Sequence, residues 1–237
     1  MDLNSYPLDL VLVPFSFLLT ASYHSYIWFN SSSKAKLAKK PAANAISLSI
    51  TNRASWNQSI LQGKRKDMLG VQSLRNSLMS AILSASTALA LAISLAALAN
   101  NAFNAHRLLR HAFFGSQAGP TVALKYACAM IFLLFSFLAN SLAVAFVVDA
   151  CFLVSVVVEE EEEEEEEAEM LEKQARRMLR RGYVLAVVGN RLLFVSLPML
   201  LWLFGPAAMA LSSVALVVLF YELDVGITYG PQKTCNK

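Results

Sequence analysis

Long apolar runs alternate with polar stretches along this chain, and the runs are too long and too evenly apolar for a soluble core. Residues 7–29, PLDLVLVPFSFLLTASYHSYIWF, form the first. A run near 20 residues crosses a hydrocarbon layer about 30 Å thick as one helix. It ends on Tyr23, Tyr26 and Trp28, the residue types that settle at a membrane–water boundary. The second run, 77–99, repeats small residues every four positions: Ser80, Ser84, Ala88, Ala92 and Ala96. Such a ridge lets a neighbouring backbone come close, so this face is expected against another helix, with a pore lining as the alternative. The third run, 123–158, would be roughly 54 Å long as a helix, too long for one crossing. It is expected to leave the membrane near Asp149 and continue into solvent.

The last run, 184–221, is also too long, and Phe204-Gly205-Pro206 divides it. Glycine stops helices, and proline suits the first turn of a new one. A fourth helix is therefore expected over about 182–203, with Pro198 removing one backbone hydrogen bond inside it. A short fifth helix follows over about 206–221. If that helix only dips into the bilayer, there are four spans. The predicted fold is an all-α polytopic membrane bundle of about five helices over a single domain, 1–237, its third and fourth helices extended on the cytoplasmic side.

Charge refines this map. Only 16% of the 237 residues are charged, against about one quarter in soluble domains, and 56% are hydrophobic. Eleven of the 17 acidic residues lie within the low-complexity segment 159–172. Residues 30–76 carry nine Lys or Arg, 100–120 carry Arg107 and Arg110, and 173–181 carry five more. Basic residues beside spans stay cytoplasmic. The N-terminus and second loop are thus expected outside, and the basic first loop (30–76) and the third inside, where they can touch anionic lipid. The sequons at Asn30 and Asn57 should then carry no glycan. Nine consecutive glutamates, 159–167, repel one another and weaken a helix locally. Glu169 with Lys173 and Glu172 with Arg176 restore favourable i,i+4 pairs, so a helix is expected from about Ala168 onward. The run reads as a solvated connector, or alternatively as a cation buffer or latch on the first loop.

No catalytic or metal signature is present. His106 and His111 are five apart, whereas ligands on one helical face need three or four. HExxH, GxSxG, a Walker A loop and CxxC are absent. Cys128 and Cys151 lie in apolar runs and read as small buried hydrophobes, with palmitoylation as a second reading of Cys151. Ser212 and Ser213 are expected to bond their own helix backbone. No cofactor is expected. The Lys34–Lys40 stretch reads as topology and lipid contact, with no nucleic acid among the partners.

Arg191 is the most informative residue. A charge in a membrane helix faces the bundle interior or water. Nine residues beyond Gly182, it stands roughly 13 Å in. Asn190 is beside it, and Gly189 leaves room for a close neighbour. Arg191 can snorkel, form an ion pair, or, with Asn190 and Asp149, line a ligand or ion path. Asp149, at the same end of the bundle, is the expected ion-pair partner, and Asp9, near the outer face, the poorer one.

The strings MDLNSYPLDLVLVPFSFLLTASYHSYIW, MLGVQSLRNSLM, SLAALANNAF, FGSQ, VGNR, LWLFGP and YELD resemble a plant family of multi-pass membrane proteins, domain of unknown function 599. The glutamate run and HRLLRHAF (residues 106–113) look like insertions relative to that family. The resemblance implies a membrane protein and no substrate, cofactor or catalytic residue. The favoured functional reading is a non-enzymatic integral membrane protein that organises partners or lipid, in the plasma membrane or an endomembrane and open to homo-oligomers. A small oligomeric channel or transporter with a polar path near Arg191 is the alternative.

Overall fold

A computed structural model describes residues 7–37, 68–102, 119–159 and 165–226. They form five helices, α1 (Pro7–Leu37), α2 (Met68–Ala102), α3 (Gly119–Glu159), α4 (Glu165–Leu201) and α5 (Pro206–Gly226), and no strand occurs among the described residues. Each holds a stretch long and apolar enough to cross a membrane: Asp9–Ile27, Gln72–Asn101, Pro120–Leu153, Met170–Leu201 and Pro206–Asp224. The predicted all-α, five-helix architecture is the one found. The fifth helix runs past Tyr221 to Gly226, and its 19-residue apolar stretch matches the bilayer core without thinning. The chain breaks where Gly205 was expected to break it. Leu203, Phe204 and Gly205 each bond the carbonyl three residues back, and Gly205 takes a φ of 146°, open only to glycine at low cost. Pro198 is accommodated within α4. The centre of the glutamate run, the tip of the basic loop, His106, His111 and Asn57 lie outside the described residues.

Small residues fill much of the interior along α2 and α3, while many large apolar ones face outward. Ala81, Ala85, Ala88, Ala129, Ala143 and Ala150 are buried, while Phe15, Leu18, Leu83, Ile93, Phe135 and Leu211 point outward. Between helices in lipid, close van der Waals packing of small residues drives association, so small residues belong inside. The buried positions follow a strict pattern. Apart from Lys125 and Ala139, on α3 they are Ala129, Leu133, Ser136, Asn140, Ala143, Val147 and Ala150, and on α2 Ala81, Ala85, Ala88, Ala92 and Leu95. Alternating steps of four and three give a period of 3.5, the seam of left-handed helix packing. This corrects the ridge expected on α2: the buried stripe is not a straight i+4 row, Ser80 and Ala96 are exposed, and Ser84 lies on the flank.

Gly182, Gly189 and Ser196 continue the same seam on α4, where it meets α3. A Cβ on Gly189 would run into the Asn140 amide, and one on Gly182 would stand 3.0 Å from Val147 Cγ2. These notches set how closely α3 and α4 approach. Ser136 Oγ donates to the Gly189 carbonyl at 2.8 Å across that contact. On the other side of the bundle, α1 packs chiefly on α5, and α5 on α4.

Candidate functional site

Arg191 is two residues past Gly189, so it points about 200° away from the α3 seam. It faces α5 and α1. Its Nη2 donates to Asp224 Oδ1 at 2.5 Å, and Tyr23 Oη donates to Asp224 Oδ2 at 2.7 Å. Asp224 is 2% exposed and the Arg191 side chain 18%. The guanidinium lies over the Phe220 ring, 4.2 Å from its centroid. Phe220 is four residues before Asp224, so both come from one face of α5. Tyr23 stacks parallel to Phe220 at 6.5 Å, while His24 and Phe194 meet it edge-on at 5.7 and 5.8 Å. Three helices are thereby clasped at one carboxylate.

The expected partner, Asp149, does not join this cluster. It is exposed on α3, on the far side of α4 from Arg191. Depth alone suggested the pairing, whereas helical face decides it. The geometry also joins two readings of Arg191. Counted from the α4–α5 turn, its Cα lies roughly 15–18 Å down α4, and Asp224 lies roughly 27 Å along α5. Cα–Cβ bonds tilt toward a helix's N-terminus, which in α4 is away from that turn. The arginine stem snorkels along that direction and ends on a carboxylate.

Asn190 takes a third direction, 100° from Gly189, toward α2. Its Oδ1 accepts from Ser84 Oγ at 2.7 Å. With Ser77, Ser80, Asn140 and Tyr183 it walls a chamber of about 80 Å³ between α2, α3 and α4. Arg191, Asn190 and Asp149 therefore lie in three separate settings.

The larger cavity, about 320 Å³, lies between α1 and α4 with Phe132 of α3 among its lining, and it is only partly enclosed. Phe17, Ala21, Ile27, Val188, Leu192 and Val195 make most of its wall, with His24 and Arg191 along it. His24 Nδ1 lies 2.8 Å from the Thr20 carbonyl, an acceptor, so Nδ1 carries the proton there. His24 Nε2 and Arg191 Nη1 are buried and have no hydrogen-bond partner among the described residues.

Sequence reasoning passed over Asp224, Tyr23, His24 and Lys125. Asp224 lies beyond residue 221, the expected end of the fifth helix, which in fact runs on through YELD to Gly226. Tyr23 was assigned to the boundary but turns inward, while Tyr26 stays 63% exposed. Lys125 sits in a run read as apolar. It is 2% exposed, its Nζ is 5.7 Å from the Trp202 ring centroid, and the Asp9 carboxylate acts on it electrostatically. Cys128 is half-buried and Cys151 exposed, so Cys151 is not the buried hydrophobe expected. Ser212 bonds the Met209 carbonyl as expected, whereas Ser213 is buried with no partner among the described residues. No group of three or more His, Cys, Asp or Glu side chains suited to a metal occurs among the described residues.

No curated protein and no solved structure matches this chain. A family model does, over residues 11–228, which takes in every residue of the clasp and the recess. The chain belongs to the family described as Protein of unknown function, DUF599.

Proposed function

We propose that this is a non-enzymatic multi-pass protein of a plant plasma membrane or endomembrane that holds lipid between α1 and α4 and so organises the bilayer or partners around it. One observation supports this reading above the others. The recess is walled almost wholly by apolar side chains and is only partly enclosed, between two helices of a bundle whose outer faces are themselves apolar. A cleft of that kind admits an acyl chain or ring system from the bilayer without a passage through water. The Arg191–Asp224 pair beside it is internally neutral, which suits a clasp better than an ion binding site.

The basic residues of 30–76 and 173–181 orient the clasp end toward the cytoplasm. In microsomes Asn30 and Asn57 should stay unglycosylated, and a glycan on either inverts the map. For the function itself, the full chain is extracted in mild detergent, its retained lipid identified, and a second sample reconstituted for flux measurements with a panel of ions. Lipid retained near one equivalent, with flux no higher than in empty liposomes, is expected. Flux without retained lipid contradicts the reading. The chamber around Asn140 and Asn190 favours the transport alternative, and flux abolished by Asn190→Leu would establish it.

A further inference from the structure

The clasp leaves a particular remainder of hydrogen-bonding capacity at the recess, and that remainder has a chemistry. Arg191 spends Nη2 on Asp224, and its Nη1, a donor only, has no partner among the described residues. His24 gives its Nδ1 proton to Thr20, so in the neutral ring Nε2 is an acceptor only, also without a partner among the described residues. Both side chains line the same recess, their two nitrogens lying just beneath its surface. One donor and one acceptor, with the charges around them already cancelled, match a hydroxyl group, which both donates and accepts. An anionic head would find the guanidinium already neutralised by Asp224 and the His24 Nε2 lone pair against it, and a cationic head would meet Arg191. The rest of the cavity wall is apolar but for Thr20, whose hydroxyl is given to the Ser16 carbonyl. It runs about seven residues along α1 from His24 to Phe17, roughly 10 Å toward the middle of the bundle.

We infer that the recess between α1 and α4 is a binding site for a neutral lipid alcohol, an apolar body bearing one free hydroxyl, whose oxygen accepts from Arg191 Nη1 while its proton goes to His24 Nε2. A sterol and a diacylglycerol share this chemistry. The inference rests on the lipid-holding reading above and specifies its ligand.

The test uses the full chain in phosphatidylcholine nanodiscs with two photoreactive probes, a diazirine sterol with a free hydroxyl and a diazirine diacylglycerol. A third nanodisc carries diazirine-labelled phosphatidylcholine. At least one alcohol probe should label the α1 and α4 walls, and the two arms identify which lipid class enters. The unlabelled sterol or diacylglycerol should compete about tenfold better than its ketone counterpart, which accepts but cannot donate, the weight of one buried hydrogen bond. His24→Phe keeps a ring against Tyr23 and Phe220. It should abolish that preference for alcohol over ketone while leaving the melting temperature near the parent's. Ala21→Trp, which fills the recess, should remove the label altogether. Equal competition by alcohol and ketone, stronger competition by a fatty acid, or label placed elsewhere overturns the inference. If labelled phosphatidylcholine marks the same walls without any hydroxyl preference, lipid holding survives and the alcohol site does not. If no probe marks them, both are overturned.

Discussion

Arg191 and Lys125 are two cations set among the same helices, and they are managed differently. Lys125, on α3, is 2% exposed, lies over Trp202, and has Asp9 of α1 as its counter-charge. Arg191, on α4, has Asp224 of α5, with Tyr23 of α1 as a second donor to the same carboxylate. Each pair ties a long helix to a shorter one, and α1 takes part in both, at its start and again four turns later. The Lys125 end packs into the apolar cluster of Leu133, Met199, Trp202 and Met209. Both ends keep an unpartnered buried donor among the described residues, Trp202 Nε1 at one and Arg191 Nη1 at the other, but only the Arg191 end borders the cavity of about 320 Å³. The two cations are thus set differently: Lys125 lies against the apolar cluster, whereas Arg191 stands between its carboxylate and the recess.

The comparison can be broken at several points. Asp224→Asn should have the largest effect, because it strands a buried guanidinium: about 3–5 kcal/mol of stability lost, read by denaturation in detergent or bicelles. If the loss is below about 1 kcal/mol, Arg191 reaches water and the clasp is not buried in function. Gly189→Ala tests the seam that aims Arg191 at α5. The new methyl meets Asn140, and overpacking of that kind costs about 1–3 kcal/mol. Adding Asn140→Ala should return part of that loss, and no recovery would place the strain elsewhere. Lys125→Met keeps the stem over Trp202 and leaves only a half-buried Asp9 behind, so about 1 kcal/mol is expected. A larger cost than for Asp224→Asn reverses the ranking of the two ends. Tyr23→Phe removes one donor from Asp224 while keeping the ring stack on Phe220. It should cost roughly 0.5–1 kcal/mol in thermal unfolding, small because Arg191 remains.

The fold was legible because the membrane imposes simple arithmetic. Run lengths gave five helices, and Phe204-Gly205-Pro206 gave the break. Gly189 announced a close approach, and Asn140 supplies it. The site was only half legible. Arg191 stood out because a charge inside an apolar run is costly wherever it points. Its partner did not, because depth in the bundle does not fix a residue's helical direction. The repeat Gly182, Gly189, Ser196 was present in the sequence and fixes the α3-facing side of α4. Reading it would have turned Arg191 away from Asp149. Lys125 was lost to the high hydropathy around it, which hides a single cation. Helix order along the chain does not state that α1 packs on α5, so the meeting of Tyr23 with Asp224, 201 residues apart, had no local signal.

The central claim is that Arg191 is held by Asp224 from the adjacent helix and not by Asp149 across the seam. A pair of double-mutant cycles in one membrane mimetic tests it: Arg191→Leu with Asp224→Leu, and Arg191→Leu with Asp149→Leu. The first cycle should show a coupling of about 1–3 kcal/mol, the double variant recovering much of what either single change loses. The second should be additive within about 0.5 kcal/mol, as for residues that share no partner. Coupling to Asp149 with additivity at Asp224 would contradict the account.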